Sequence, residues 1–349
     1  MKNVLYASVS LVALALVSTS LPAESETPGY KQVNAVAVGA PDRWDYLTFD
    51  QSTNRLYLSH GDRVDVLDGT TGTVLGSVKG MPGGTHGIGI VNTVGKGYTD
   101  DGKAGEAVAF DLKSFKVLSR IKAEDDADGI AVDPKSGHVF VVDGDSAVLT
   151  VIDPKTDKVI ATVQGGGGLE FAVADGAGHV YVNGADKKEM VSINTATNTV
   201  DAHWPIPKCE SPHGLAMDTQ SRRLFISCVN KVLTVVNADT GAVVATLPIG
   251  AGTDGATFDP KRKLIFSANG GDGTISVIRE NSPDSFTPAG DIKTAITGRT
   301  LTINPNTGWL YLAAAAIDAS APVPPGPNGR PGRPKPLPGS LKVLFLAPQ

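Results

Sequence analysis

ADGIAVDPKSGHVFVVDGDSAVLTVIDPKTDKVIATVQG, residues 127–165, is the stretch that decides the fold. Its apolar residues fall in four short alternating runs, near 129–132, 139–142, 148–152 and 159–163. Turn residues separate the runs: DPKSG at 133–137, DGD at 143–145 and DPKTD at 153–157. Short alternating runs between turn signals are typical of strands joined by hairpins. The stretch therefore predicts an antiparallel meander of four strands.

The same pattern recurs in five further segments. They span residues 45–78, 86–121, 170–200, 213–250 and 254–278. A period of roughly 40 residues with four strands in each repeat is typical of propeller blades. The sequence therefore predicts six blades from these segments.

A seventh blade is predicted to combine both ends of the chain. Residues 299–303 and 309–312 supply its first two strands, and residues 341–346 supply the third. The fourth is found at residues 30–39, YKQVNAVAVG, which read like the fourth strands of other blades. Pairing the two ends closes the ring and removes an exposed sheet edge. We therefore expect an all-β protein, a seven-bladed β-propeller of four-stranded antiparallel blades in one domain over residues 30–349.

The repeat resembles the YVTN family of seven-bladed propellers, which includes YncE-like proteins. VYVNG at 180–184 and LTVIDPKTDKVIATV at 149–163 match the family pattern of a second strand, a third strand ending in Asp, and a fourth strand. The match covers nearly all of residues 30–349. It implies an architecture and no single activity, because propellers serve as binding proteins, lyases, lactonases and redox subunits.

Residues 1–23 are predicted to be a signal peptide. One Lys precedes an apolar run from Val4 to Val17, and small residues follow, with cleavage expected after Ser20 or Ala23. No apolar stretch reaches the length that a membrane span needs. We therefore expect a periplasmic or secreted protein with no membrane span.

The charge distribution argues against nucleic-acid binding. The formal net charge is −5, and the Lys and Arg residues are scattered between repeats. A nucleic-acid surface would require a basic stripe with interleaved aromatic residues. We expect a monomer whose partner is a small molecule or a protein bound on one face.

The two cysteines both fall in the fifth blade. Cys209 precedes the first strand of that blade, and Cys228 ends the second strand, which runs back toward the same face. In an oxidising compartment this arrangement favours a disulfide, which contributes on the order of 3 kcal/mol in the chain-entropy model. A soft-metal ligand pair and two free thiols are the alternatives.

One column of ionisable residues carries the main functional signal. Early in each predicted first strand the chain places one such residue: Asp45, His86, Asp128, Glu170, His213, Asp254 and Arg299. First strands lie innermost in a propeller, so the column predicts a ring at one mouth of the central channel. We call this end the top face. Glycine follows the ring residue in four blades, as expected where backbones crowd the axis.

One side of the ring is predicted to hold a cation. Arg299 can neutralise its neighbours Asp254 and Asp45, but the opposite arc has no Lys or Arg in the column. That arc, the predicted metal site, comprises His86, Asp128, Glu170 and His213. Two imidazoles with two carboxylates favour Zn, Mn, Fe or Cu over Ca or Mg. A solvated channel mouth without a ligand is the alternative.

Further candidates flank the ring. The expected ligand-binding residues are Asp45, Asp254 and Arg299, together with His60 and Asp143 at the ends of second strands. Asp100, Asp101 and Asn183 also end second strands and are candidates for orienting the inner ligands. For all of these strand-end residues, a solvated loop position is the alternative.

A Pro- and Gly-rich insertion at residues 316–340 interrupts the seventh blade. It carries Arg330, Arg333 and Lys335 and should be extended rather than helical. Strand order places it on the top face. It is expected either to cover the mouth, or to present positive charge over the acidic ring, or to be a decoration without a role.

Two functions from different classes fit this pattern. The first is an exported binding or interaction module with a metal or small ligand at the channel mouth. The second is a metal-dependent lactonase or lyase in which Glu170 or His213 acts as general base or acid. Turnover that disappears on chelation and in Glu170→Gln would favour the enzyme.

Overall fold

The computed structural model describes Met1, residues 28–323 and residues 332–349. The predicted signal peptide lies outside these ranges apart from Met1. Within them the chain folds into seven four-stranded antiparallel sheets. No helix in this part of the chain is both long and apolar enough to cross a membrane.

The strands follow the predicted meanders closely. Blade one contains β2 (Leu47–Asp50), β3 (Arg55–His60), β4 (Arg63–Asp68) and β5 (Val74–Lys79). Blade two contains β6 (Ile88–Val91), β7 (Lys96–Asp101), β8 (Glu106–Asp111) and β9 (Val117–Lys122), with short 3-10 helices at Asn92–Val94 and Gly102–Ala104. Blade three contains β10 (Ala127–Val132), β11 (Val139–Asp143), β12 (Val148–Asp153) and β13 (Lys158–Gln164).

The remaining blades repeat this arrangement. Blade four contains β14 (Leu169–Ala174), β15 (His179–Gly184), β16 (Glu189–Asn194) and β17 (Thr199–Pro205). Blade five contains β18 (Pro212–Asp218), β19 (Arg223–Cys228), β20 (Val232–Asn237) and β21 (Val243–Pro248). Blade six contains β22 (Thr253–Asp259), β23 (Leu264–Asn269), β24 (Thr274–Ser282) and β25 (Ser285–Lys293).

Blade seven confirms the predicted closure of the ring. It contains β26 (Thr300–Ile303), β27 (Leu310–Ala314) and β28 (Lys342–Pro348), and its outermost strand is β1 (Tyr30–Ala37). In the antiparallel β1–β28 pair, Tyr30 lies opposite Pro348 and Val36 opposite Val343. The first and last strands of the described chain therefore share one sheet, as the repeat count predicts.

Acidic residues shape many of the hairpins away from the top face. The carboxylate of Asp133, just after β10, accepts hydrogen bonds from the backbone N–H groups of Lys135 and Ser136. Asp259 at the end of β22 does the same for Lys261 and Arg262. These side chains stabilise tight turns by satisfying turn donors. Much of the acidic composition is thus structural.

A column of aromatic residues in the second strands forms the core between blades. Each blade contributes one buried ring: Tyr57, Tyr98, Phe140, Tyr181, Phe225, Phe266 and Tyr311. Three of the hydroxyls also donate to the following blade, from Tyr98 to Asp157, from Tyr181 to the Ala238 carbonyl, and from Tyr311 to the Gly69 carbonyl. Burying each ring contributes about 2–3 kcal/mol. This aromatic column holds neighbouring blades in register and so fixes the relative positions of the ionisable residues at the top face.

The predicted disulfide is present. Cys209, in the loop before β18, is bonded to Cys228 at the end of β19. Both residues are fully buried and pack in an apolar cluster with Leu215. The bond ties the loop leading into the inner strand of blade five to the strand beside it.

Candidate functional site

The inner strands place the ring residues around one mouth, as the column predicts. The approach is close: a Cβ added to Gly87 would overlap the backbone of Gly129 and Ile130 in the next blade. Gly214 meets the backbone of blade six in the same way. Adjacent inner strands therefore touch through glycine directly after His86 and His213, and this contact brings ring side chains of neighbouring blades together.

Three ring residues from adjacent blades form a candidate metal centre. Asp45, His86 and Asp128 each offer one ligand atom, and these atoms lie within 4.8 Å of one another. His86 Nδ1 lies 3.5 Å from Asp128 Oδ1. We call these three residues the acidic arc. Two of its members, His86 and Asp128, belong to the predicted metal site, and the third is Asp45. The other two residues of that prediction, Glu170 and His213, are not in this group and lie next to each other in the ring.

Asp100 fixes the orientation of His86. Its Oδ1 lies 2.7 Å from His86 Nδ1, and its Oδ2 accepts hydrogen bonds from the backbone N–H groups of His86 and Gly87. With Nδ1–H donated to Asp100, Nε2 is the nitrogen of His86 that can bind a metal, once the metal displaces its proton. Histidines that bind metals are commonly held by a carboxylate in this way. Asp100 thus matches the orienting role predicted for it.

The electrostatics of the acidic arc favour a cation. Burial alone would lower the pKa of His86, but the hydrogen bond that His86 donates to Asp100 and the charges of Asp100 and Asp128 raise that pKa to about 10. Burial raises the pKa of Asp128 well above its ordinary value; the His86 charge opposes this, while the charges of Asp45 and Glu170 add to it. Within the arc two carboxylates thus face one imidazolium, while the charges of Arg299 and Arg333 act on Asp45 from outside the arc.

The other four ring residues have partners within the protein. Asp254 Oδ2 accepts hydrogen bonds from Arg299 Nε and Arg333 Nη2, both at 2.8 Å. Burial would raise the pKa of Asp254, but the charges of Arg333 and Arg299 lower it below its ordinary value. His213 Nε2 lies 3.4 Å from Glu170 Oε1, and His213 Nδ1 lies 2.9 Å from the Ser211 carbonyl oxygen. We call Glu170, His213, Asp254 and Arg299 the paired arc.

An aromatic pair closes the channel beside the ring. The rings of Tyr46 from blade one and Phe171 from blade four meet with centroids 4.5 Å apart. Blades one and four lie on opposite sides of the axis, so this contact crosses the channel. The charges of four ring carboxylates contribute to raising the Tyr46 pKa after burial, the largest cause. This aromatic pair, Tyr46 and Phe171, therefore closes the channel below the mouth. We call the pair the aromatic floor and the space between it and the ring residues the cup.

The insertion in blade seven reaches the mouth and brings positive charge to it. Arg333 Nη2 binds the ring residue Asp254, and the Lys335 carbonyl accepts a hydrogen bond from the Asp318 N–H. Of the predicted alternatives, the contact of Arg333 with Asp254 supports positive charge over the acidic ring. Arg330 lies outside the described residues.

The predicted strand-end residues divide into two groups. Asn183 joins Asp100 in supporting the ring, because its Nδ2 donates to the His213 carbonyl. His60 is engaged within blade one, where its two ring nitrogens lie 2.6 Å from Asp65 Oδ2 and 2.5 Å from the Pro41 carbonyl. Asp101 and Asp143 make other contacts, with the Gly83 and Glu124 N–H groups respectively.

Two solved structures are similar to this chain over most of its length. Hydrazine synthase from Kuenenia stuttgartiensis matches with a TM-score of 0.68 at 14% identity, covering 81% of this chain and 96% of that one. A chain of a mitotic checkpoint complex matches with a TM-score of 0.72 at 17% identity, covering 89% and 96%. At such identities the likeness shows the fold alone. The chain is a seven-bladed β-propeller.

Comparisons at the level of sequence families add no assignment. No family model matches the chain, and no curated protein matches it. The resemblance to the YVTN family therefore remains a prediction from the repeat pattern. Function has to be argued from the mouth itself.

The aromatic floor is the site feature that the sequence prediction missed. Tyr46 and Phe171 directly follow the ring residues Asp45 and Glu170, at the position where four other blades have glycine. Two aromatic residues among four glycines in one column were a usable signal. Residues lining a crowded axis need small side chains unless the side chain itself fills the axis.

Proposed function

We propose that this protein is an exported propeller that binds a divalent first-row metal ion at the acidic arc and acts as a binding module. The observation that carries the proposal is the convergence of Asp45, His86 and Asp128 from three adjacent blades, within 4.8 Å. The hydrogen bonds of Asp100 to His86 support the same assignment, because they preset the imidazole for a ligand.

The donor set indicates the class of metal. One imidazole and two carboxylates suit Zn, Mn or Fe, and Cu also accepts such ligands, whereas Ca and Mg prefer oxygen alone. Three protein ligands leave at least one coordination position open toward the mouth. The bound metal would therefore present a position for a small ligand or for a group of a partner protein.

Export is supported by two independent features. The disulfide between Cys209 and Cys228 persists in oxidising compartments. Residues 1–23 carry the charge, apolar run and small residues of a signal peptide. The proposed location is the periplasm or the outside of the cell.

Metal content of matched variants tests the proposal. The protein, purified from its exported location and equilibrated with Zn²⁺ or Mn²⁺, should retain one equivalent by elemental analysis. His86→Ala should lose the metal, and Asp100→Asn should weaken binding by about 10–100-fold. His213→Ala should retain it, because His213 belongs to the paired arc.

Two results would contradict the acidic arc. Full metal content in His86→Ala would exclude His86 as a ligand. Metal loss in both His86→Ala and His213→Ala would instead favour the four-residue site predicted from the column. His179→Ala is the control, since His179 begins β15 at the end of blade four opposite the mouth, where it pairs with Asp201.

A metal-dependent lactonase or lyase is the second candidate, and one observation favours it. Glu170 and His213 lie 3.4 Å apart beside the mouth, which is a spacing suited to an acid–base pair. If this pair is catalytic, hydrolysis of simple lactones should disappear in Glu170→Gln and on chelation, while metal content in that variant stays at one equivalent. If the metal-loaded protein hydrolyses none of a series of lactones, the enzyme hypothesis is contradicted and the binding module remains as the proposed function.

A further inference from the structure

Arg333 lies in the described part of the blade-seven insertion, residues 316–323 and 332–340, which we call the strap, and it adds a second guanidinium group to that of Arg299 at the mouth. Arg299 and Arg333 both donate to the same oxygen of Asp254, so two guanidinium groups share one carboxylate. Arg299 is otherwise committed, because its Nη2 donates to the Trp44 carbonyl and its guanidinium stacks on the Trp44 ring at 4.8 Å. The Arg333 side chain is 65% exposed. Its remaining donors are therefore accessible from the mouth.

The backbone that follows Arg333 is held in place. Ile317 and Pro336 form an isolated antiparallel bridge, and the Asp318 N–H donates to the Lys335 carbonyl. Farther along, the Asp42 carboxylate accepts hydrogen bonds from the N–H groups of Gly339 and Leu341. Arg333 thus stands on an anchored segment that crosses the top face.

Arg333 lies near the acidic arc. Arg333 shares the Asp254 carboxylate with Arg299, and Arg299 Nη2 donates to the carbonyl of Trp44, the residue directly before Asp45. Beside the ring, Tyr46 and Phe171 close the channel. A small molecule in the cup would therefore meet the acidic arc on one side and the guanidinium of Arg333 on the other.

We propose that the mouth binds a small carboxylate anion, in which one oxygen completes the coordination of the metal on the acidic arc and the carboxylate also pairs with Arg333. This inference rests on the proposed metal site. The carboxylates of the acidic arc would repel an anion in the absence of the metal, so anion binding should require it. The planar guanidinium fork matches a carboxylate in geometry and charge.

Cobalt-loaded protein provides a direct readout. Co²⁺ at the acidic arc should give a visible absorption spectrum that changes when lactate, a weakly chelating 2-hydroxycarboxylate, enters the coordination sphere. We expect saturable lactate binding in the wild type. Arg333→Ala should weaken it by about 10–100-fold, the range expected for a lost charge-assisted hydrogen bond, and Arg333→Lys should weaken it less.

The matched control is Lys335→Ala, which removes one positive charge from the same segment and should bind lactate as the wild type does. All variants should retain one equivalent of cobalt by elemental analysis. Unchanged lactate binding in cobalt-loaded Arg333→Ala would overturn this inference and leave the metal site intact. Equal weakening in Lys335→Ala would also overturn it, since net charge would then suffice. Absence of cobalt from the wild type would refute the metal site and this inference with it.

Discussion

The acidic arc and the paired arc occupy the same position in equivalent inner strands, yet they differ in how their charge is balanced. In the paired arc, Arg299 and Arg333 lower the pKa of Asp254. In the acidic arc, burial and the charges of neighbouring carboxylates raise the pKa of Asp128. The two arcs therefore differ in whether a guanidinium group is hydrogen-bonded to a carboxylate of the arc.

The ends of the second strands follow the same division. In the blades of the acidic arc, the last position of the strand is His60, Asp101 or Asp143. In blades four to six, behind the paired arc, the equivalent positions hold Gly184, Cys228 and Asn269, which carry no charge. Ionisable character therefore extends outward from the acidic arc, whereas the paired arc is supported by neutral side chains.

Removing the closing strand should abolish both arcs at once, which is the largest effect we expect. Deletion of residues 30–40 removes β1 and exposes the edge of β28, so blades seven and one lose their connection. We predict aggregation, loss of a cooperative melt and no retained metal, measured by size-exclusion chromatography, thermal denaturation and elemental analysis. A chain starting at Pro28 is the control. A monomeric deletion variant with an unchanged melt would show that ring closure does not hold the arcs together.

Equivalent isosteric substitutions in the two arcs should change stability in opposite directions. Asp254→Asn leaves Arg299 and Arg333 without their carboxylate and should lower the free energy of unfolding by about 3 kcal/mol. Asp128→Asn removes carboxylate repulsion and should raise it by about 1 kcal/mol in metal-free protein at neutral pH. Urea denaturation of both variants in chelator measures the two changes. Similar destabilisation by both would mean that the arcs do not differ in charge balance.

The fold was predictable because it depends on local patterns that repeat. Alternation, turn residues and a constant period defined the blades, and the leftover strand at residues 30–39 defined the closure. The aromatic column of the second strands, represented by Tyr181 in VYVNG, supports the same register. Each of these signals is a consequence of strand geometry within one blade or between adjacent blades.

The membership of the ring was predictable, but the grouping within it was not. A column states which side chains meet at the mouth; it does not state which rotamer each adopts or where an insertion ends. The position of Arg333 on Asp254 depends on the path of the strap, and no periodicity encodes that path. Arg299 donates to Asp254 and to the Trp44 carbonyl, and Asp45 lies with His86 and Asp128 instead. This grouping depends on side-chain packing, which the repeat pattern does not specify.

Asp143 gives the smallest and most specific test of the division between the arcs. Burial raises its pKa from 3.8 to about 7, the Thr150 hydroxyl and the Glu124 N–H oppose the shift, and the Glu124 charge adds to it. The folded protein therefore keeps this proton up to about pH 7, whereas the unfolded chain releases it near pH 4. The contribution of Asp143 to stability is present below pH 4 and is lost as pH rises toward 7.

Asp143→Asn should remove this pH dependence, because the amide stays neutral, its oxygen can accept from the Glu124 N–H, and its NH2 group can donate to the Thr150 hydroxyl. The variant should match the wild type near pH 4 and exceed its free energy of unfolding by on the order of 2 kcal/mol at pH 8. Asn269→Asp, the reverse change at the equivalent position of blade six, should introduce the same dependence. Denaturation midpoints measured from pH 4 to pH 8 decide the matter: parallel curves for Asp143→Asn and the wild type would mean that Asp143 ionises normally in the folded state, and that the uncompensated charge is confined to the ring itself.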